Sequence, residues 1–218
     1  MDDCVLYREV SSQRDSSLLQ RDLDLLYNWE KTWQMELNPS KCAVLSFSTS
    51  RNYPTYDYYI HNEVLTRVNE HKYLGVILSD NFKWSSHIST SVNRARQKLG
   101  FIRRNTRGMS RSVKDTAYKT LVRPHLEYAS AVWDPFTRQD IHKLEQVQRS
   151  AARLVTGDFR RSSSVTGMLE DLKWEPLFQR RMVSRLVMVY RKLQDDVAIP
   201  KELFFQFNPN QRTRSSTN

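Results

Sequence analysis

Between Arg94 and Arg123 the chain sets ten cations against one acid: Arg94, Arg96, Lys98, Arg103, Arg104, Arg107, Arg111, Lys114, Lys119 and Arg123 face Asp115 alone. Placed on two amphipathic helices, these charges line a face opposite Val92, Leu99, Ile102 and Leu121. Such a face neutralises nucleic-acid phosphates without reading bases. A solvated helix face is the plainer alternative, and the scarcity of interspersed acids favours phosphate contact. At the amino terminus, Asp2-Asp3 precedes the apolar run Val5-Leu6-Tyr7. An acidic pair there means nothing in isolation, and its reading depends on the residues downstream of it. Other chemistry has little support. Cys4 and Cys42 are too few for a disulfide framework or a cysteine-rich zinc site, and His61, His71, His87, His125 and His142 show no ligand spacing.

The whole chain agrees with a polyanionic partner. It has 218 residues and a formal net charge of +10, and 39% of the residues are hydrophobic and 11% aromatic, which suits a folded protein with a real core. The excess of lysine and arginine points to nucleic acid or to an anionic membrane surface. No apolar run approaches the roughly 20 residues a spanning helix needs, and the amino terminus lacks the layout of a secretory signal. A nuclear or cytoplasmic location, without secretion or membrane insertion, is the expectation.

The elements that must carry these residues fall into two regimes. Up to about Leu78 one helix is mixed with short strands. Leu19, Leu23, Leu26, Trp33 and Leu37 recur at helical spacing with Trp29 beside them, and Asn38-Pro39-Ser40 ends that helix. Strands are expected at Val5 to Tyr7, Cys42 to Phe47 and Tyr73 to Leu78. A hairpin turns at His61-Asn62. After Trp84 the period changes: Ile88, Val92, Ala95, Leu99 and Ile102 step by four and three. Ser110 caps a helix that stops before Pro124. Ile141 to Leu154 forms another, with Gly157 as its stop, and helical segments follow at Met168 to Leu172 and Leu177 to Leu193. The four tryptophans Trp29, Trp33, Trp133 and Trp174 read as core. Arg180-Arg181 either contacts nucleic acid or solubilises the last helix.

Read in order, several runs resemble one family. Asp2-Asp3-Cys4-Val5-Leu6-Tyr7-Arg8 is similar to the strand leaving the double-aspartate turn of a polymerase. Leu37-Asn38-Pro39-Ser40-Lys41-Cys42 resembles the segment before a later palm strand. Lys72-Tyr73-Leu74-Gly75-Val76 with Trp84 and His87-Ile88, Leu126 to Trp133, Lys143 to Arg149, and Leu172-Lys173-Trp174 with Arg180-Arg181 follow in the family's sequence. On these blocks, over about residues 2 to 193, the chain resembles the carboxy-terminal palm and thumb of a reverse transcriptase from a non-LTR retrotransposon of the jockey or CR1 kind.

The resemblance implies an α+β fold: a partial palm of short antiparallel strands plus a helix, then a mainly α-helical thumb-like region. It divides the chain into palm end (1–87), thumb-like helices (88–160), a helical extension (161–199) and a polar, disordered tail (200–218). In the intact family enzyme paired aspartates hold Mg²⁺ ions that activate the primer hydroxyl. Asp2 and Asp3 match those aspartates, but Met1 stands where the family has alanine. The metal's other ligand belongs upstream, so vestigial carboxylates and no stably bound metal are expected. Lys41 matches a lysine that assists nucleotide phosphate chemistry, a surface lysine being the alternative. Tyr73, Leu74 and Gly75 match the primer-positioning hairpin, with a core role for Tyr73 equally open. The expected partner is RNA, DNA or an RNA–DNA duplex, held by its backbone. The expected activity is that of a fragment of an RNA-directed DNA polymerase which binds nucleic acid but does not polymerise alone. The alternatives are a nonspecific RNA- or DNA-binding helical module and a translated relic without function.

Overall fold

The computed structural model describes residues 4–48, 50 and 53–198. Asp2 and Asp3, and the tail expected to be disordered from 200 onward, lie outside the described residues. Helix α1 (Gln13–Trp33) begins where Ser12 and Asp15 form a reciprocal capping box, and Gln34 ends it in a left-handed conformation. A 3₁₀ turn follows at Pro39–Lys41, with Asn38 accepting from the Ser40 N–H at 3.0 Å. Short strands come next: β1 (Ala43–Leu45), β2 (Tyr59–Ile60), β3 (Glu63–Val64), β4 (Thr66–Val68), β5 (Glu70–Tyr73) and β6 (Val76–Ser79). The helices α2 (Ser85–Asn105), α3 (Arg111–Leu121), α4 (Arg123–Glu127), α5 (Ser130–Trp133), α6 (Arg138–Thr156), α7 (Val165–Asp171) and α8 (Leu177–Leu193) complete the described chain.

The strands form three two-stranded ladders. β2 and β3 are an antiparallel hairpin, and β5 and β6 another, but β1 and β4 run parallel. The expectation of antiparallel strands alone is corrected at that pair. Its cause is visible in the chain: the strand leaving the first hairpin stays bonded to it as far as Leu65, whose N–H donates to the Tyr58 carbonyl at 2.8 Å, then crosses to β1 from Thr66 on. His61 and Asn62 turn that hairpin with φ of 53° and 64°, the left-handed pair that a two-residue connection between twisted strands requires. The single strand expected over Tyr73 to Leu78 is instead split. Leu74 (φ 45°) and Gly75 (φ 84°) make a second such turn, so Tyr73 and Val76 face each other across it. Val5, Leu6 and Tyr7 form no strand and are exposed.

Two apolar clusters result. The smaller gathers Tyr58, Ile60 and Leu65 against Leu19 and Leu23 of α1. Gln20 of α1 donates to the Tyr59 carbonyl at 3.0 Å and accepts from its N–H at 2.9 Å, satisfying a strand edge that a partner strand would otherwise fill. Trp29 and Trp33, expected in this core, are 42% and 65% exposed. The apolar stripe of α1 is wider than the small sheet it covers, so its last turns overhang.

The larger cluster packs α2 on α6 through Ile88, Val92, Ala95, Ile102, Leu144, Val147 and Ala151, with Trp133 and Trp174 also buried. The small residues Ala95 and Ala151 are wholly buried at this contact. Tyr118 stacks on Trp174 with ring centroids 4.1 Å apart, and the Trp174 indole N–H donates to Asp115 at 2.9 Å. Val76 of β6 joins this core, as do Val165, Met168 and Leu177. Packing therefore continues across residue 160, and the second hairpin belongs with the helices.

Candidate nucleic-acid interface

Helix α2 carries the candidate site, and its start is pinned twice. Asp140, buried in the first turn of α6, accepts from Ser85 Oγ at 2.7 Å, Thr137 Oγ1 at 3.0 Å and Lys143 Nζ at 2.8 Å. Burial pushes its carboxyl up, but those hydrogen bonds outweigh it and hold the carboxyl below the ordinary carboxylate range. Two residues beyond Ser85, the His87 Nδ1 accepts from the Ile77 N–H at 3.2 Å, and its ring lies 5.1 Å from that of Trp133. Burial lowers the imidazole's pKa and Arg94 lowers it further, which suits the neutral ring that this acceptor role needs. Helix, hairpin and α6 are thus locked at one end of α2.

The rest of α2 presents its outer half to solvent. Arg94, Arg96, Lys98, Arg103 and Arg104 are exposed on it, and Arg107 is exposed in the turn that follows. Among the described residues none of these six forms an ion pair with an acid. At roughly 100° per residue, they do not make the single face expected of them. Arg96 and Arg103 recur along one flank, Arg94 and Lys98 along the other, and Arg104 lies between.

The cations of α3 and α4 have different neighbours. Arg111 pairs with Asp171 at 2.5 Å, Lys119 with Asp115 at 2.8 Å and Arg123 with Glu127 at 3.6 Å. Two of these acids lie outside the window in which Asp115 stood alone, and tertiary folding delivers Asp171 to α3. Leu121, expected on the buried side, is 44% exposed. Among the described residues from 94 to 123, positive charge free of acids is therefore concentrated on α2, with half-buried Lys114 on α3 the one addition.

Tyr73, Leu74 and Gly75 sit at the tip of the second hairpin. The Tyr128 hydroxyl donates to the Leu74 carbonyl at 3.0 Å, and a Cβ on Gly75 would come within 3.2 Å of the Tyr128 ring. Glycine is required there by both its left-handed backbone and this close approach. Lys41 is exposed at the end of the 3₁₀ turn, beside the smaller cluster. Arg180 and Arg181 are not a nucleic-acid patch: Arg181 is buried with its Nε donating to Asp134 at 2.9 Å, and Arg180 is held by Glu127.

The chain is similar in sequence to mobile-element proteins. The chain is 28% identical over 159 residues to a probable RNA-directed DNA polymerase from transposon X-element of Drosophila melanogaster. It is 28% identical over 162 residues to an RNA-directed DNA polymerase from mobile element jockey of Drosophila funebris, and 24% identical over 159 residues to the Drosophila melanogaster jockey counterpart. Each match covers 72% of the chain. The chain is homologous to the reverse transcriptases of non-LTR retrotransposons. It spans 17% of the length of each of these relatives. No protein-family model and no solved structure matches it.

Asp2 and Asp3, which the family resemblance matches to the metal-holding aspartates, lie outside the described residues. Among the described residues no three His, Cys, Asp or Glu side chains converge as a metal-ligand set. Among the described residues, too, no helix is long and apolar enough to cross a membrane. Two aromatic residues beside the α2 charges escaped the sequence reading. Phe101 is 50% exposed on the flank of Arg94 and Lys98, and Phe159 is 56% exposed with the Arg103 guanidinium 5.7 Å from its ring centroid. Phe101 was legible as an aromatic at helical spacing from two cations; Phe159, more than fifty residues away from Arg103, carried no such signal.

Proposed function

We propose that the chain is a portion of a non-LTR retrotransposon reverse transcriptase, the end of the palm followed by a thumb-like helical region. It clasps an RNA–DNA duplex through the phosphates along α2, in the nucleus or cytoplasm, and does not polymerise by itself. The observation that carries this reading is the set of exposed arginines and lysine on α2, free of acidic partners among the described residues, in a chain homologous to RNA-directed DNA polymerases. Guanidinium groups suit phosphate oxygens because their forked donors match them bidentately. The absence of competing carboxylates leaves those donors unspent. The proposal that the 218 residues do not polymerise alone rests on their match to only 17% of each polymerase relative's length.

Duplex binding measured by fluorescence anisotropy at several salt concentrations tests the first part. Three or four phosphate contacts give a log–log salt slope of about −3 to −4. Replacing Arg103 and Arg104 by alanine reduces that slope by about 2 and weakens binding to all sequences alike. Affinity indifferent to both substitutions would remove the site. For the second part, primer extension with Mg²⁺ or Mn²⁺ shows no incorporation above background, and incorporation by the unaltered chain would overturn it.

A further inference from the structure

Gly100 lies in the interior of α2, where glycine costs a helix more than any residue except proline. Internal packing gives no reason for it. Its backbone is helical, and an added Cβ would meet only Arg104 Nη1, at 3.5 Å, an ordinary contact with the far end of a flexible side chain. Gly75 is the contrast, since its left-handed φ and the Tyr128 ring both demand glycine. Alanine fits at position 100 without strain, and the helix would be better formed.

The surroundings of Gly100 supply a reason outside the chain. On a helix the surface neighbours of a residue are those three and four positions away, and for Gly100 these are Gln97, Arg96, Arg103 and Arg104. Three of the four are arginines, all exposed and free of acidic partners among the described residues. Side chains on a helix lean toward its amino terminus, and Arg104 reaches back over the turn that holds Gly100, while the Arg103 guanidinium lies beside the Phe159 ring, 5.7 Å from its centroid. Arg107 follows in the turn beyond α2. The result is a half-exposed stretch of helix backbone with no side chain of its own, flanked in sequence by three arginines and overlain only by the flexible end of Arg104.

We propose that Gly100 is the seat on which a nucleic-acid sugar–phosphate backbone rests against α2. With no side chain between them, the strand comes close enough for Arg96, Arg103 and Arg104 to hold its phosphate oxygens at once. The Cα–H groups of the glycine make weak contacts to the same oxygens. The inference rests on the reading of α2 as the nucleic-acid face and adds to it the point and closeness of approach. It assigns a binding role to an uncharged residue that a charge map of the helix passes over.

The test uses the full 218-residue chain and a fluorescein-labelled RNA–DNA hybrid of mixed sequence. Gly100→Ala raises Tm by roughly 2–4 °C, the gain of a better helix former in a chain of this size, while it weakens binding. Gly100→Leu lifts the strand away from the arginines and weakens binding about tenfold for each charge-assisted hydrogen bond lost. It also reduces the salt slope by about 1–2. Thr116→Leu places the same bulk at an exposed position on α3, away from the α2 cations, and leaves affinity unchanged. Wild-type affinity and salt slope in Gly100→Leu, or an equal loss in Thr116→Leu, overturn the proposal even if the arginine substitutions abolish binding. Absence of salt-sensitive binding by the unaltered chain overturns both this inference and the reading beneath it.

Discussion

Substituting Asp140 by asparagine separates the scaffold of the interface from the interface itself. The carboxylate accepts three hydrogen bonds, from Ser85 of α2 and from Thr137 and Lys143 beside it. Asparagine keeps one oxygen acceptor, which can serve one hydroxyl, and loses the charge. Ser85 is exposed and recovers a water partner, so little is lost there. The Lys143 contact is charge-assisted and worth about 1.5–3 kcal/mol in general. Its lysine is a third exposed (33%), which places the loss near the lower bound. A carboxylate in the first turn of α6 adds roughly 0.3–1 kcal/mol against the helix dipole. The expected destabilisation at neutral pH is about 2 kcal/mol, or a fall in Tm of roughly 4–8 °C.

The sign of the pH dependence follows from the direction of the shift. Asp140 is held below its ordinary value in the folded chain. Its contribution is therefore complete above the unfolded pKa of about 3.9 and is lost as pH falls through the lower folded value. Circular-dichroism melts of both proteins at pH 7 and through the range from 5 to 3 measure the gap between them. The gap narrows progressively below about pH 4. A gap of the same size at pH 7 and pH 3, or no gap at pH 7, refutes the reasoning. Duplex affinity at neutral pH stays close to the unaltered value, because the α2 cations lie beyond the pinned end.

Other expectations rest on single contacts. Arg181→Met loses the pairings with Asp134 and Glu145, but Asp134 keeps Arg185 at 3.0 Å and Glu145 keeps the N–H groups of Leu177 and Phe178. It also removes two buried guanidinium nitrogens that have no hydrogen-bond partner. The net cost is therefore about 1–3 kcal/mol, while Arg181→Ala adds a cavity and costs roughly 2 kcal/mol more; equal urea midpoints for the two variants would contradict this. Gly75→Ala destabilises by about 1–2 kcal/mol through its left-handed backbone and the Tyr128 ring. In contrast, Leu74→Asn supplies the dipeptide such a turn favours and stabilises by roughly 0.5–1 kcal/mol. Chemical denaturation that ranks these two the other way removes the account of the hairpin. Trp174→Phe preserves the stack on Tyr118, loses the hydrogen bond to Asp115 and costs about 1 kcal/mol. A loss above roughly 3 kcal/mol would show that the stack itself had failed.

What the sequence determined by itself is what short-range physics writes into it. The period from Ile88 to Ile102, the stop at Gly157 and the apolar run of Leu177 to Leu193 each act within a turn or two of helix, and they mark α2, the end of α6 and α8. The ordered motif blocks likewise pointed to the polymerase relatives before any contact was known. Tertiary structure decided what depends on residues distant in the chain. It broke Tyr73 to Leu78 into a hairpin held by Tyr128, sent β4 to a parallel partner and left Trp29 and Trp33 exposed, since burial depends on what lies opposite. It also divided the cations. Asp171 and Glu127 take Arg111 and Arg123, Asp134 takes Arg181 into the interior, and α2 keeps its charges for solvent or a ligand. A charge count cannot make that division, because an acid neutralises whatever folding brings within about 4 Å of it.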